Sequence, residues 1–144
     1  MIGPVDTAKL WQAARNFEAT KPAIVLPLYV GLRTLGAAYF AEYIDYVYDL
    51  ASTFADDLQA RRDFDLLVRP ESNIVCFRVR TTPEKSDDLQ LRLREAVNQQ
   101  GRFFIMRTTI RGATWLRLVL MNPATRLTDL RALLDELADL ARAS

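Results

Sequence analysis

The sequence predicts an α+β fold: two N-terminal helices, then the order β-β-α-β-β-α, with a mostly antiparallel four-stranded sheet carrying its helices packed on one face. Three observations predict it. Arg102 to Pro123 contains two apolar, β-branched and aromatic runs, RFFIMRTTI and TWLRLVLMNP, split by Arg111-Gly112-Ala113, which is a hairpin pattern. A second pair of β-type runs, Phe64 to Val68 and Asn73 to Arg80, flanks the turn-forming Arg69-Pro70-Glu71-Ser72. Each pair is followed by leucines recurring at three- and four-residue steps, the mark of an amphipathic helix.

From the N-terminus, DTAKLWQAARNFE places Leu10, Ala14 and Phe17 on one short helical face, too brief to be stable without a partner. Residues 1–20 therefore read as an arm. Pro22 suits the first turn of a helix, and the pattern from Ile24 to Leu35 is helical, starting or kinking near Pro27. Gly36 punctuates it. A longer helix then runs to about Arg62, with Phe40, Tyr43, Ile44, Val47, Leu50, Ala51, Phe54 and Leu58 forming a buried stripe. Its tyrosines sit on several faces, which suits core and interface positions better than an active site, because a phenol favours half-buried places.

Within Asn73 to Arg80, alternation puts Ile74, Cys76 and Arg78 on one face and Val75, Phe77 and Val79 on the other. Both faces are apolar where the strand begins, as in the middle of a covered sheet. Ser86 is a good N-cap for a helix opening with Asp87-Asp88, and Gly101 is a left-handed stop. A last helix begins near Thr125, lined by Leu127, Leu130, Leu133, Leu134, Leu137 and Leu140.

Composition prunes the chemistry. The 144 residues carry a formal net charge of +1, with acids and bases interspersed, which argues against a nucleic-acid surface. No run approaches eighteen apolar residues and the N-terminus has no signal-peptide pattern, so the expected setting is soluble and cytoplasmic, away from membranes. Histidine is absent and Cys76 is the single cysteine, which excludes Ser-His-Asp and Cys-His systems, ordinary zinc sites and an intrachain disulfide; Cys76 itself reads as an inert core thiol. Neither a GxxxxGK[ST] nor a GxGxxG loop occurs. The neighbouring carboxylates Asp56-Asp57 and Asp87-Asp88 point apart on their helices, and Arg61-Arg62 and Arg92 with Arg94 read as solvated.

One residue stands out against its surroundings. In the last strand Leu116, Leu118 and Leu120 share one face, and Trp115, Arg117 and Val119 share the other, so Arg117 is a lone guanidinium among apolar neighbours. Such a charge is costly unless an anion meets it.

LRLVLMNPAT followed by RLTDLRALLDEL resembles the C-terminal end of the group II pyridoxal-phosphate-dependent amino-acid decarboxylases, which include the glutamate, aromatic amino-acid and diaminobutyrate enzymes. The likeness extends back through FDLLVRPESNIVCFRVR and LPLYVGLRTLG to about Ala19-Thr20-Lys21. It implies the same α+β layout, that of the family's small C-terminal domain, over 63–144, with 21–62 as the helical segment joining it to a large domain. In the family a lysine directly after a histidine anchors the cofactor, and a second histidine stacks on its ring. Here Lys9, Lys21 and Lys85 follow Ala8, Thr20 and Glu84, so the resemblance implies that these groups belong to a large domain upstream of residue 1. No cofactor is then expected on this chain, although pyridoxal phosphate is implied for the full-length enzyme. In the glutamate decarboxylase branch an arginine in this strand contacts the substrate carboxylate, and Arg117 occupies the matching position; a bidentate guanidinium suits that role. Pairing with Glu42 or Asp45 is the plain structural alternative.

Two functions remain open. One is a C-terminal decarboxylase portion, inactive alone, whose partner is the large cofactor-binding domain or a second copy in a homodimer. The other is a stand-alone α+β module that dimerises or regulates a partner.

Overall fold

The computed structural model describes residues 25–82 and 86–143. The expected arm over 1–20, the Pro22 helix start and all three lysines lie outside the described residues. The chain divides into two compact units, Met1–Phe40 and Ala41–Ser144.

Helix α1 spans Val25–Ala60. Pro27 falls in its opening turn, where a missing N–H breaks no intrahelical bond. Gly36 interrupts the helix with φ 79° and ψ 161°, a conformation an L side chain resists, so the glycine is required by its backbone rather than by lack of room. In the first unit Val25, Leu26, Leu28, Tyr29 and Leu35 are exposed. In the second unit Val47, Leu50, Ala51, Phe54, Ala55 and Leu58 form the buried stripe. Ile44, expected in that stripe, is exposed. Periodicity marks a helix face but not how far along it the cover extends.

The sheet has the order β1-β2-β4-β3, with every neighbouring pair antiparallel. Strands β1 (Phe64–Leu66) and β2 (Ile74–Val79) are shorter than expected. Hydrogen bonds from Leu67 N to Cys76 O (2.9 Å) and from Arg80 N to Asp63 O (2.8 Å) carry the pairing one residue further at each end. Strands β3 (Met106–Ile110) and β4 (Ala113–Val119) form the central hairpin. Ala113 is a strand residue paired with Ile110, not part of the turn, which is Arg111-Gly112 alone with φ 52° and 78°. Two successive positive φ values make it a two-residue turn of the primed type, whose twist matches that of the flanking strands.

Helices α2 (Ser86–Gln100) and α3 (Leu127–Arg142) complete the domain. Gly101 closes α2 at φ 74°, as its sequence position suggests. At the start of α3 the Asp129 carboxylate accepts the Arg126 backbone N–H at 2.9 Å. One core unites the C-terminal half of α1, α2 and α3 with Val75, Phe77 and Val79 of β2 and Leu116 and Leu118 of β4. Phe77 packs edge-on to Phe54, ring centroids 5.8 Å apart. Ile74, Cys76, Arg78, Met106, Trp115, Arg117 and Val119 are outside that core. The described helices thus cover one face of the sheet; on the other, Trp115 is buried while Ile74 of β2 is exposed among the described residues. Cys76, expected in the core, is half-buried on the other face. Among the described residues no helix is long and apolar enough to cross a membrane.

Candidate functional site

The face opposite the described helices gathers several unusual side chains. Register places Arg117 between Cys76 of β2 and Met106 of β3, because each is its direct cross-strand partner. Arg117 is half-buried, and its Nη2 donates to the Met106 sulfur at 3.3 Å. Its Nε is enclosed and has no hydrogen-bond partner among the described residues. Neither Glu42 nor Asp45 pairs with it, and no ion pair involves Arg117 among the described residues. A guanidinium held by a thioether alone keeps most of its donors for something else.

The neighbouring cation behaves differently. Arg78 lies over the Trp115 ring, 4.7 Å from its centroid, and its Nε reaches Asp65 at 3.4 Å. Asp65 also takes the Arg80 Nε at 2.6 Å. Arg78 is therefore stacked and neutralised, and Arg117 beside it is not. Cys76 offers no compensating anion: burial pushes its thiol pKa up, against the opposing influence of the Arg117 charge, so the thiol stays protonated at neutral pH.

Several of the other charged residues singled out by sequence pair within the fold, whereas Arg94, expected to be solvated, is half-buried with its Nε unpartnered among the described residues. Asp56 and Asp57 do point apart, to Arg69 (2.6 Å) and Arg131 (2.7 Å). Arg61 is not simply solvated as expected: it bridges Asp63 (2.9 Å) and Asp135 (2.6 Å) and lies over Phe64. That hydrogen bond from Arg61 holds the Asp63 carboxyl below the usual range. Asp87 accepts the Thr114 backbone N–H at 2.8 Å, tying α2 to the hairpin. Among the described residues no cluster of acids or thiols is arranged to hold a metal ion.

Two amides do work that composition alone did not reveal. Gln90, fully buried, accepts from Val79 N at 3.0 Å and donates to Val79 O at 2.9 Å. Asn98, two turns on, does the same for Ile105, at 2.8 and 3.0 Å. Each side chain completes backbone pairing where a strand lacks a neighbour. Their separation of eight residues puts both on one face of α2, a signal the sequence does carry. Tyr43 and Tyr46 donate to the carbonyls of Met121 and Thr125, fixing the connection from β4 to α3. A cavity of about 480 Å³ opens beside that connection, lined by Phe103, Ile105, Leu120, Met121 and Leu130. Arg117 is not among its walls.

No protein-family model matches the sequence. The chain is 29% identical over 99 residues to tryptophan decarboxylase 1 of Oryza sativa subsp. japonica, covering 64% of this chain and 19% of that protein. It is 31% identical over 122 residues to tyrosine decarboxylase 2 of Narcissus pseudonarcissus, covering 81% of this chain and 23% of that protein. Its fold matches the glutamate decarboxylase domain of diaminobutyrate-pyruvate transaminase and L-2,4-diaminobutyrate decarboxylase from Vibrio parahaemolyticus, with a TM-score of 0.75 at 23% identity over 81% of this chain and 26% of that one. The chain thus spans about a fifth of the length of the curated relatives it matches. Sheet order, hairpin and sequence likeness converge: the chain belongs, as a C-terminal portion, to the group II pyridoxal-phosphate-dependent amino-acid decarboxylase family.

Proposed function

We propose that these residues serve as the small C-terminal domain of an amino-acid decarboxylase, and that the cofactor anchor lies in a large domain outside this chain. The residues present do not fit pyridoxal phosphate. The family's covalent link is made by a lysine that directly follows a histidine, whereas Lys9, Lys21 and Lys85 follow Ala8, Thr20 and Glu84, and the 144 residues include no histidine to stack on the ring. On this reading the chain alone binds no cofactor and releases no carbon dioxide.

In the complete enzyme Arg117 receives the substrate carboxylate. The observation that carries this role is the contrast on one sheet face between Arg78, neutralised by Asp65, and Arg117, which has no anion. A planar guanidinium grips a carboxylate through two parallel hydrogen bonds. The large domain is also the partner proposed to cover the exposed apolar residues of the first unit; a homodimer of the isolated chain is the competing cover.

Mixing the purified 144-residue chain with pyridoxal phosphate tests the first part. The expected spectrum shows no internal aldimine, and no carbon dioxide is released from tyrosine or tryptophan. Either signal would overturn the reading. Sedimentation of the same sample distinguishes a defined dimer from a chain that awaits another domain.

A further inference from the structure

Arg117 is long and flexible, and among the described residues the one side-chain hydrogen bond of its guanidinium goes to Met106. The two are direct partners in the β3–β4 register, with 3.3 Å between Nη2 and the sulfur. Met106 is 40% exposed, so the core does not clamp its side chain. Its backbone, however, starts from a fixed point, because the preceding Ile105 is fully buried and bonded through both its N–H and its carbonyl to Asn98. At the other end of β3, the tight Arg111-Gly112 turn prevents the register from slipping. The backbone that carries Met106 therefore has a defined position on the sheet.

Its effect on the guanidinium follows from counting donors. Of the five N–H groups, Nε–H is enclosed and one on Nη2 meets the sulfur. What remains is the terminal edge, Nη1 with the second N–H of Nη2, which is the edge used in an end-on, two-point grip on a carboxylate. We propose that Met106 is a positioning residue for Arg117, its sulfur holding the guanidinium so that this edge is presented to a carboxylate. The proposal rests on the reading of Arg117 as a carboxylate receptor and adds the group that aims it.

Arginine side-chain nitrogen signals of the 144-residue chain, followed by NMR during titration with 3-phenylpropionate, provide the test. In the unaltered chain the Arg117 Nη signals are expected to be resolved by slowed rotation and to shift on binding. Met106→Leu keeps the apolar volume but removes the acceptor. It should merge those signals and weaken binding about threefold to tenfold, the worth of one modest hydrogen bond, without moving the thermal midpoint. Met106→Gln restores an acceptor at similar length and should recover affinity. Equal affinity and unchanged Arg117 signals in Met106→Leu would overturn the positioning role. If the unaltered chain ignores phenylpropionate but Met106→Leu still releases the Nη signals, the positioning stands and the carboxylate reading alone falls.

Discussion

The two faces of this sheet are built from the same four strands and follow opposite rules. Toward the helices, Val75, Phe77, Leu116 and Leu118 are buried and apolar, with Thr114 the buried polar residue of the same strand face. On the other face, at alternate positions of the same strands, stand Cys76, Arg78, Trp115 and Arg117 with Met106. Among the described residues the Nε of Arg117 finds no partner, as is also true of Arg94 Nε and Glu136 Oε1. The helix-covered face explains why the domain folds, and the opposite face is where we propose that a carboxylate is received.

Substitutions can break this contrast, beginning with the largest effect. Phe77→Ala removes a fully buried ring that touches Phe54 and Phe64, and should cost about 3–5 kcal/mol in urea unfolding. If the loss were under about 1 kcal/mol, the helix-covered face would not be the seat of stability.

Gln90→Leu keeps the volume but strips Val79 of both its side-chain hydrogen bonds. Leaving a buried N–H and carbonyl without partners should cost about 2–3 kcal/mol by the same measurement. Hydrogen exchange at the Val79 amide should accelerate along with it.

A smaller effect comes from pH. Arg61 holds the Asp63 carboxyl below its ordinary value, so that pair's contribution is present above the unfolded carboxylate range and is lost as pH falls through the folded value. Thermal unfolding across the acid range should show this slope, and Asp63→Asn should flatten it. The magnitude is modest because the pair is partly exposed.

The smallest change in stability is expected at the residue of greatest functional interest. Arg117→Leu deletes a charge with no anionic partner among the described residues, so the isolated chain should change by less than about 1 kcal/mol. A loss as large as that of Phe77→Ala would make Arg117 a structural residue and erase the difference between the two faces.

Much of the fold was legible because hydrophobic period is a local property. The leucines of α3 and the alternation in β2 and β4 name their elements, and Gly101 and Gly112 mark a helix stop and a turn by conformations other residues resist. Boundaries were less legible. Ala113 joined the strand and Arg102 to Ile105 stayed outside it, since pairing depends on a neighbour across the sheet and not on β propensity alone. Arg117 could be singled out because its apolar surroundings are written in the same strand.

By itself, then, the sequence determined the α+β order, the core stripes, the lone arginine and the absence of any histidine to work beside it. Tertiary structure alone decided that Gln90 and Asn98 complete strand ends, that Asp65 neutralises Arg78 while Arg117 has no such acid among the described residues, and that Met106 meets the guanidinium. The reason is physical: periodicity lies within a few residues of chain, whereas partnership between charges is set by distances that only packing brings about.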